Sequence, residues 1–389
     1  MATNCLDDIR IIELARFQAL PRGGMLLRDL GAEVIKVESP KGEGDLRPMG
    51  PFVHGQSVQF AAYNRGKKSI TLELRTEEGR AILGDLIRCS DVLLENFRPG
   101  ILETMGYTQE TLSRLNPTLV LCRVSGFGQY GPYRDWGSFD PTIQAMSGLA
   151  HQTGRPFGRP VLAEGPIMDR LTAIHAAAGV TAALRYRDWT GKGQVIDVAM
   201  LDMGISLEEV ALAMAHFTGN DDWRRGYGAP LHCADGWVDA GSVRNAKWRR
   251  LLEAMGRHEL AATADFTAPL WTAPVSPERL ELLQSWVSDR PRVEVLNTLR
   301  EYGLECVFIQ TITDVLHDPH FSQREVMVEL PADEQGNTML MPGVSIKMSR
   351  VTTPLQGPPR LGEHNQEVLG GLLGIPGQEL DRLRAGGVI

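Results

Sequence analysis

The residues with the clearest potential for chemistry are three polar side chains, Gln18, Asp140 and Asp169, which stand at or just before predicted helix starts. Asp169 follows a turn at Gly165-Pro166 and precedes a run of small residues. Because a side-chain oxygen at a helix start accepts an unpaired backbone N–H, the local pattern predicts that Asp169 caps a helix. The alternative is a nucleophilic carboxylate, kept ionised by the positive helix N-terminus and open to a ligand that approaches the nearly side-chain-free helix.

Asp140 and Gln18 each have two interpretations. Asp140 lies just before the apolar segment 143–149, so it too fits the role of a helix cap. Gln18 lies in the loop after the first predicted strand, where amide groups meet ligands, although surface glutamines are also common in loops. His151 and His232 have no partner at a recognisable spacing. No Ser/His/Asp order and no cluster of metal ligands emerges, so we predict no metal site.

Strands and helices alternate along the first 130 residues, which predicts an α/β fold. The predicted strands are 9–14, 32–37, 68–74, 91–96 and 119–124, and the predicted helices between them are 21–30, 76–89 and 108–115. This order is typical of a parallel sheet that is covered on both faces. A later strand is predicted at 195–200 and a single helix at 202–216.

Ligands of such sheets bind in the loops at the carboxyl ends of the strands. The predicted loops are 15–20, 39–48, 96–100 and 125–133. No G-x-G-x-x-G follows the first strand, and no G-x-x-x-x-G-K-S/T is present. The chain is therefore predicted to be neither a nucleotide-dependent dehydrogenase nor a P-loop enzyme.

The composition of the sequence changes near residue 220, where a polar linker leads into a charged region that is predicted to be mostly helical. The predicted domains are a large Rossmann-like domain at 1–219, a smaller α+β domain at 220–325, and a return to the large domain at 326–389.

Composition points to a cytoplasmic protein without a nucleic-acid or membrane partner. The formal charge is −8 and the pI is near 5.7, whereas such partners call for a basic surface. No apolar run reaches the ~20 residues that span a bilayer, and the first residues lack the order of a secretion signal. The five cysteines are scattered without a C-x-x-C pair, which favours reduced thiols.

Several cations stand in or near the predicted carboxyl-end loops, among them Arg47, Arg65, Lys67, Lys68 and Arg98. Such side chains hold phosphates, although most charged loop residues are simply solvated. From the residues alone, we predict an α/β enzyme that binds an anionic ligand.

Eight segments in order along the chain resemble the family III CoA-transferases, the group that includes formyl-CoA transferase and crotonobetainyl-CoA:carnitine CoA-transferase. They are LGAEVIKVE (30–38), NRGKKSI (64–70), ENFRPG (95–100), SGFG leading to GPY (125–133), QAMSG (144–148), Asp169, TGKGQ (190–194) and LGEH (361–364). Each is weak alone, but together they cover nearly the whole chain.

The resemblance implies a Rossmann-like large domain split by a smaller one, with two chains interlocked as a homodimer. It implies that Asp169 is the nucleophile and that Gln18 and Asp140 belong to the active site. CoA or acyl-CoA would be a substrate, with no tightly bound cofactor. The positions that match CoA contacts in the family are Phe17, Glu38, Ser39, Lys67, Lys68, Asn96, Phe97, Arg98 and Ile101.

The chain also departs from the family pattern. Ser39 and Thr104 stand where some members have an arginine for the CoA phosphates, and Arg47 and Arg98 are the predicted substitutes. The glycine-rich loop of formyl-CoA transferase has no counterpart at 226–230, which leaves the acceptor acid open.

The implied reaction moves CoA from an acyl-CoA to a carboxylic acid through an aspartyl-CoA thioester at Asp169, without ATP or metal. Backbone N–H groups at the start of the Asp169 helix are predicted to hold the oxyanion. One alternative is α-methylacyl-CoA racemase, whose pattern has a histidine where this chain has Phe139. A phenylalanine side chain cannot donate or accept a proton in the reaction. The other alternative is an acyl-CoA-binding protein of the same fold without chemistry.

Overall fold

The computed structural model describes residues 4–221, 230–240, 245–263, 277–331 and 335–389. The chain forms two compact units. Unit 1 comprises Met1–Glu209 and Glu325–Ile389, and unit 2 comprises Val210–Arg324. The division into separate domains at 220 and 325 stays a prediction.

The strands in chain order are β1 (Arg10–Glu13), β2 (Glu33–Glu38), β3 (Phe52–Val53), β4 (Gln56–Ser57), β5 (Lys68–Thr71), β6 (Val92–Glu95), β7 (Val120–Ser125), β8 (Gln194–Ala199), β9 (Pro230–Cys233), β10 (Gly236–Asp239), β11 (Val307–Phe308), β12 (Met327–Glu329) and β13 (Leu340–Pro342). Six of them form a parallel sheet in unit 1, in the order β5-β2-β1-β6-β7-β8. The α/β class and the parallel sheet are therefore confirmed. Short antiparallel pairs join β3 to β4 and β12 to β13.

The helices of unit 1 are α1 (Ala19–Asp29), α2 (Val58–Asn64), α3 (Glu77–Arg88), α4 (Ile101–Thr104), α5 (Gln109–Leu115), α6 (Asp140–Met146), α7 (Leu149–Gly154), α8 (Ile167–Thr190) and α9 (Met200–Leu207). Thr76 and Thr108 begin α3 and α5 as predicted, because each hydroxyl accepts a backbone N–H of the first turn. The single helix predicted at 202–216 is wrong. α9 ends at a tight turn in which the Glu208 N–H donates to Ile205, and α10 (Glu209–Thr218) follows.

Both faces of the sheet are buried at its central strands β1, β2 and β6. Ile11 and Ile12 are neighbours on β1 and both are fully buried, yet they belong to separate apolar clusters on opposite faces. α1 and α8 cover one face. The C-terminal helix (Gly377–Ala385) and α3 contribute to the cluster on the other.

α1 and α8 pack closely because small residues meet at their contact. A Cβ on Gly23 of α1 would lie 3.2 Å from the carbonyl oxygen of Ala173 on α8. Ala173, Ala176 and Ala183 are buried in the core. The expectation that these small residues admit a ligand to the helix is therefore wrong at those positions, since they admit another helix instead.

Unit 2 has its own core around a three-stranded antiparallel sheet in the order β11-β10-β9. Its other helices are α11 (Asn245–Ala254), α12 (His258–Thr263), α13 (Pro277–Val287), α14 (Arg292–Glu301), α15 (Ile312–His317) and α16 (Pro319–Gln323). The segment compared with the glycine-rich loop falls mostly at 226–229, outside the described residues. Among the helices that the structure describes, none is long and apolar enough to cross a membrane.

Candidate active site

Asp169 is the third residue of α8, near the carboxyl edge of the sheet. The residue before the helix is Pro166, and no side chain of this segment caps the helix locally. Within the described part of the chain, the Asp169 carboxylate takes part in no hydrogen bond or ion pair. The helix-cap interpretation of Asp169 is therefore wrong.

Asp140 caps α8 instead. Its Oδ2 accepts the backbone N–H groups of Met168 at 2.5 Å and Asp169 at 3.1 Å, and its Oδ1 accepts Gln144 Nε2 at 2.6 Å. Asp140 is buried and is the first residue of α6, so its carboxylate joins the starts of two helices. The prediction that it caps its own helix is wrong, because the N–H groups that it accepts lie 28 and 29 residues further along the chain.

The start of α8 has no spare backbone donor. Besides the two N–H groups bound to Asp140, Ile167 donates to Gly165 and Arg170 donates to Pro166. The Arg170 bond is the first regular bond of the helix, and Pro166 has no N–H, so the three N–H groups that this helix start leaves over, on Ile167, Met168 and Asp169, all have partners. The predicted oxyanion hole at these N–H groups is contradicted by this arrangement.

The charge environment of Asp169 is unusual for a carboxylate. Burial and the negative charge of Asp140 raise the pKa of Asp169 to about 7, and the nearby positive charge of Arg170 only partly offsets them. The sequence predicted the opposite, namely that the positive helix N-terminus keeps Asp169 ionised. A carboxyl group that loses its proton near neutral pH without a hydrogen-bonded partner is well suited to nucleophilic attack.

Gln18 reaches the same region from α1. It precedes the first residue of α1, and its Oε1 accepts a hydrogen bond from the Tyr63 hydroxyl at 3.0 Å. The rings of Phe17 and Phe139 meet edge to face with their centroids 6.1 Å apart. Because Phe139 precedes Asp140, this contact brings the Gln18 loop to the segment that caps α8. The three predicted active-site residues thus lie on three connected segments.

A cleft of about 500 Å³ opens at the carboxyl ends of the strands, as the parallel sheet predicts. Three predicted CoA contacts line it: Glu38, Ser39 and Phe97. Two arginines that the sequence analysis overlooked, Arg16 and Arg75, line it as well. A signal was available, since Arg16 lies in the first carboxyl-end loop and Arg75 shortly follows β5.

The two arginines differ in their partners. The Arg16 guanidinium lies 5.6 Å from the centre of the Phe97 ring and has no carboxylate partner among the residues described. Arg75 is highly exposed and pairs with Glu73 at 2.7 Å. Both are placed to meet an anionic ligand in the cleft, Arg16 without first breaking an ion pair.

Lys67 and Lys68 are not available to phosphates in the cleft. The Lys67 ammonium is fully buried and is bound by both Glu13 carboxylate oxygens, the Pro21 carbonyl and Asn64 Oδ1. Lys68 begins β5 and pairs with Glu33, the first residue of β2, so it lies at the amino edge of the sheet. The prediction that these two ammonium groups hold CoA phosphates is corrected accordingly.

Arg47 is also engaged already. Its guanidinium forms two hydrogen bonds with Glu38, at 2.6 and 2.8 Å, and lies 3.8 Å from the centre of the Phe60 ring. A phosphate would have to compete with a bidentate carboxylate. This makes Arg47 a poor substitute for the phosphate-binding arginine of the family.

The remaining predicted contacts lie after β6. Asn96 joins two loops by accepting the Arg16 N–H at 2.9 Å and donating to the Arg16 carbonyl at 2.8 Å. Arg98 is exposed and reaches the segment around Gly137, where a Cβ would lie 3.3 Å from its guanidinium. Ile101 begins α4 and is partly exposed. No group of three or more His, Cys, Asp or Glu side chains within the described ranges is arranged to hold a metal ion.

Comparisons with known proteins show the family of this chain. Residues 6–365 match the model of CoA-transferase family III. The formyl-CoA:oxalate CoA-transferase of Streptomyces avermitilis is 35% identical over 100% of both chains. The succinyl-CoA–D-citramalate CoA-transferase of Chloroflexus aurantiacus is 37% identical over 99% of this chain and 98% of its own.

A solved structure of similar sequence also matches the fold. The crystal structure of a CAIB/BAIF family protein from Brucella suis superposes with a TM-score of 0.83, at 32% identity, over 95% of this chain and 100% of that one. The match includes most of the chain rather than one unit. The fold, the family model and the full-length relatives lead to one conclusion: the chain belongs to CoA-transferase family III, whose members act on an acyl-CoA and a carboxylate.

Proposed function

We propose that this enzyme transfers CoA from an acyl-CoA donor to a carboxylic acid through a thioester formed on Asp169. The observation that carries the proposal is the carboxylate of Asp169, which has no partner in the described structure and a pKa raised to about 7. Its backbone N–H is bound by Asp140, and the Phe17–Phe139 contact joins the segment of Asp140 to the Gln18 loop, at the edge of the sheet where ligands of this fold bind.

The reaction proceeds in four attacks without net proton transfer. The Asp169 carboxylate attacks the donor thioester, the carbon–sulfur bond breaks, and CoA thiolate leaves a mixed anhydride. The thiolate attacks the Asp169 carbonyl, which releases the donor acid and forms the aspartyl-CoA thioester. The acceptor carboxylate attacks that thioester and forms a second anhydride, which the thiolate opens at the acceptor carbonyl. Asp169 returns as a carboxylate.

Desolvation favours the first attack. A carboxylate that is stabilised by hydrogen bonds must give them up as its charge moves to the forming bond, whereas Asp169 has none to lose. Asp140 holds the backbone on which Asp169 stands, and its charge further destabilises the ionised form. Gln18 is the nearest amide on the adjoining loop and is proposed to bind the reacting carbonyl group.

CoA is proposed to lie in the cleft at the carboxyl ends of the strands. Arg16 and Arg75 would meet its phosphates, and Phe97 gives an apolar surface beside them. Ser39 stands in the same cleft, in place of the family arginine. Replacing Arg16 with Gln is expected to raise KM for acyl-CoA about tenfold, since one charge-assisted contact is lost. Unchanged KM would contradict the placement of CoA in this cleft.

We propose a dicarboxylic acid as acceptor. Relatives are named for oxalate, citramalate, malate, and succinate with glutarate. Arg170 acts on the charge of both Asp169 and Arg22. Neither arginine forms an ion pair with any residue that the structure describes, and Arg22 Nε is buried without a hydrogen-bond partner. Burial and the charge of Arg170 lower the pKa of Arg22. A second carboxylate of the substrate would pair with these cations and offset part of their positive charge.

The homodimer implied by the sequence is also part of the proposal. Apolar side chains on α8, α9 and the edge strand β8 are exposed in the single chain: Ile174, Tyr186, Trp189, Val195, Ile205 and Leu207. Exposed apolar surface of this extent is typical of subunit interfaces. Sedimentation at micromolar concentration should give twice the chain mass. All five cysteines are free thiols, which supports the proposed cytoplasmic location.

Trapping the intermediate tests the function. With succinyl-CoA as donor, because several relatives use it, brief reaction and acid quench should leave CoA on the peptide that contains Asp169, detected by mass spectrometry. Hydroxylamine added during turnover should inactivate the enzyme at the same residue. CoA exchange without modification of Asp169 would contradict the proposed route.

Solvent labelling distinguishes the proposed CoA transfer from the racemase alternative. A racemase exchanges the α-proton of its acyl-CoA, whereas the proposed transfer leaves that bond intact. Phe139, beside Asp140, has no ionisable group to serve as the second proton carrier. Incubation with acyl-CoA in D₂O should therefore leave the α-carbon unlabelled while CoA moves to the acceptor acid.

A further inference from the structure

Four buried charged side chains form a layer beneath the loop that joins β1 to α1. We call this set, Glu13, Lys36, Asp45 and Lys67, the ionic layer. Lys67 Nζ lies 2.8 Å from both carboxylate oxygens of Glu13, and Lys36 Nζ lies 2.7 Å from Asp45 and 3.5 Å from Glu13. Two positive and two negative charges thus neutralise one another.

The ionic layer holds the backbone on both sides of Gln18. Lys36 Nζ donates to the Ala15 carbonyl at 2.7 Å, and the Phe17 N–H donates to Asp45 Oδ1 at 2.8 Å. Lys67 Nζ donates to the Pro21 carbonyl at 2.8 Å. Three backbone groups, from three residues before Gln18 to three residues after it, are therefore bound to buried charges.

α1 rests directly on the same layer. A Cβ on Gly24 would lie only 2.0 Å from Oε2 of Glu13, so the helix approaches this carboxylate as closely as glycine allows. A second connection runs through α2. Asn64 accepts Lys67 Nζ at 2.9 Å, and its neighbour Tyr63 donates to Gln18 Oε1.

Stability alone does not explain why four charges are buried here. Buried ion pairs cost desolvation, and apolar side chains of similar volume often stabilise a fold equally well or better. Apolar side chains cannot bind the backbone groups of Ala15, Phe17 and Pro21, however. Phe17 has a φ of 61°, a strained conformation for a non-glycine residue that persists only where its surroundings fix it.

We infer that Glu13, Lys36, Asp45 and Lys67 are positioning residues, which set the place of Gln18 relative to Asp169 by holding the Phe17–Gln18 backbone from below. This inference rests on the proposed function, because it assigns Gln18 to the reacting carbonyl. The ionic layer does not touch the acyl group. It acts through the loop, and its loss should appear in the rate of chemistry.

The test replaces one buried pair with apolar residues. The double variant Lys36→Met/Asp45→Leu removes both charges together. Because neither charge is left buried without the other, the variant should fold. It also removes the bonds to Ala15 and Phe17. We expect kcat to fall by about tenfold to a hundredfold. Hydrogen exchange at the Phe17 amide should become faster.

A second buried pair supplies the matched control. Arg65 and Asp29 form two hydrogen bonds of 2.7 Å, and the side-chain exposures are 1% and 5%, against 1% and 7% for Lys36 and Asp45. The variant Arg65→Met/Asp29→Leu should keep kcat within about twofold of the unmodified enzyme. Equal kcat losses in the two double variants would overturn the inference.

A double-mutant cycle with Gln18→Ala shows whether the effect passes through Gln18. If it does, the Lys36/Asp45 replacement should cost less than about threefold in kcat once Gln18 is absent. A fully additive loss would overturn the inference. Should the double variant not fold, Asp45→Asn, which removes the ion pair with Lys36 and replaces the charged acceptor of the Phe17 N–H with a weaker neutral one, must still lower kcat without a matching loss in the Asp29→Asn variant.

The outcome is distinct from a failure of the proposed function. If the unmodified enzyme exchanges CoA and traps CoA on Asp169 while the ionic-layer variants keep full kcat, only the positioning inference fails. If the unmodified enzyme never labels Asp169, the proposed function fails, and hydrogen exchange at Phe17 still decides whether the layer holds the loop.

Discussion

The start of α8 and the ionic layer beneath α1 both contain carboxylates that burial affects, but the pKa shifts of Asp169 and Asp45 go in opposite directions. In the ionic layer, burial alone would lower the pKa of Lys36, yet the carboxylates of Asp45 and Glu13 raise it. Burial likewise opposes ionisation of Asp45, but Lys36 lowers its pKa. Asp169 has no such cation bonded to it among the residues that the structure describes, and its pKa rises to about 7.

The difference shows that a bonded cation can outweigh burial for the carboxylate of Asp45, whereas Asp169 keeps the effect of burial; burial still lowers the pKa of the paired Lys67 to about 8. The paired charges of the ionic layer form hydrogen bonds with backbone groups, and these bonds hold the backbone in place. An unpaired carboxylate keeps its lone pairs for an incoming carbonyl carbon.

Removing the unpaired carboxylate should have the largest effect. Asp169→Asn keeps the size of the side chain but removes the nucleophile, so we expect exchange to fall on the order of a thousandfold or more. Initial rates of acyl-CoA exchange, followed by mass spectrometry, measure this. Asp188→Asn, an exposed position on the same helix, is the control. Exchange within tenfold of the unmodified rate would exclude Asp169 as nucleophile.

Disturbing the carboxylate that caps α8 should have a smaller effect. In Asp140→Asn the amide replaces one acceptor oxygen with a donor, so either the Met168 and Asp169 N–H groups or Gln144 loses its partner. We expect kcat to fall tenfold to a hundredfold through misplacement of Asp169. A loss as complete as that of Asp169→Asn would instead indicate direct participation of Asp140 in the chemistry.

The pH profile tests the charge environment itself. Because Asp169 attacks as the anion, kcat/KM should rise with pH through about 7 and then level off. Removing the Asp140 charge takes away one cause of the raised pKa, so the midpoint should move to lower pH in Asp140→Asn. A rise that is centred near pH 4 in the unmodified enzyme would show that Asp169 is as stabilised as an exposed aspartate.

The smallest effect concerns stability. The pKa of Asp169 is raised in the folded state, so folding penalises the ionised form, and this penalty is fully present above pH 7 and is lost as pH falls toward about 4. Asp169→Asn should therefore be more stable than the unmodified chain at pH 8, by about 1–2 kcal/mol after allowance for partial exposure. Urea midpoints at pH 8 and pH 5 measure it. An advantage that is independent of pH would contradict the raised pKa.

Local patterns predicted the helix and strand order well. Thr76 and Thr108 mark helix starts because a hydroxyl acts within three residues of its own position. The parallel sheet and its carboxyl-end loops followed from alternation of strands and helices. The family followed from eight short segments, each of which is weak alone.

Patterns of this kind failed wherever a side chain acts across the fold. Asp140 looked like a cap for α6 but caps α8, and Lys67 looked like a loop cation but is bound by Glu13, 54 residues away. Arg16 was overlooked although it lies in the first carboxyl-end loop, because the sequence does not show which side chains of that loop face the cleft.

By itself, the sequence determined the α/β architecture, the edge of the sheet at which the cleft opens and the resemblance that marks Asp169. Only the tertiary structure decided that Asp169 is not a cap, that Asp140 is, and which cations face the cleft. The physical reason is one of range. Capping by neighbours and hydrophobic alternation are local and can be read from spacing, whereas the charge state of a buried carboxylate depends on partners that folding alone brings near it.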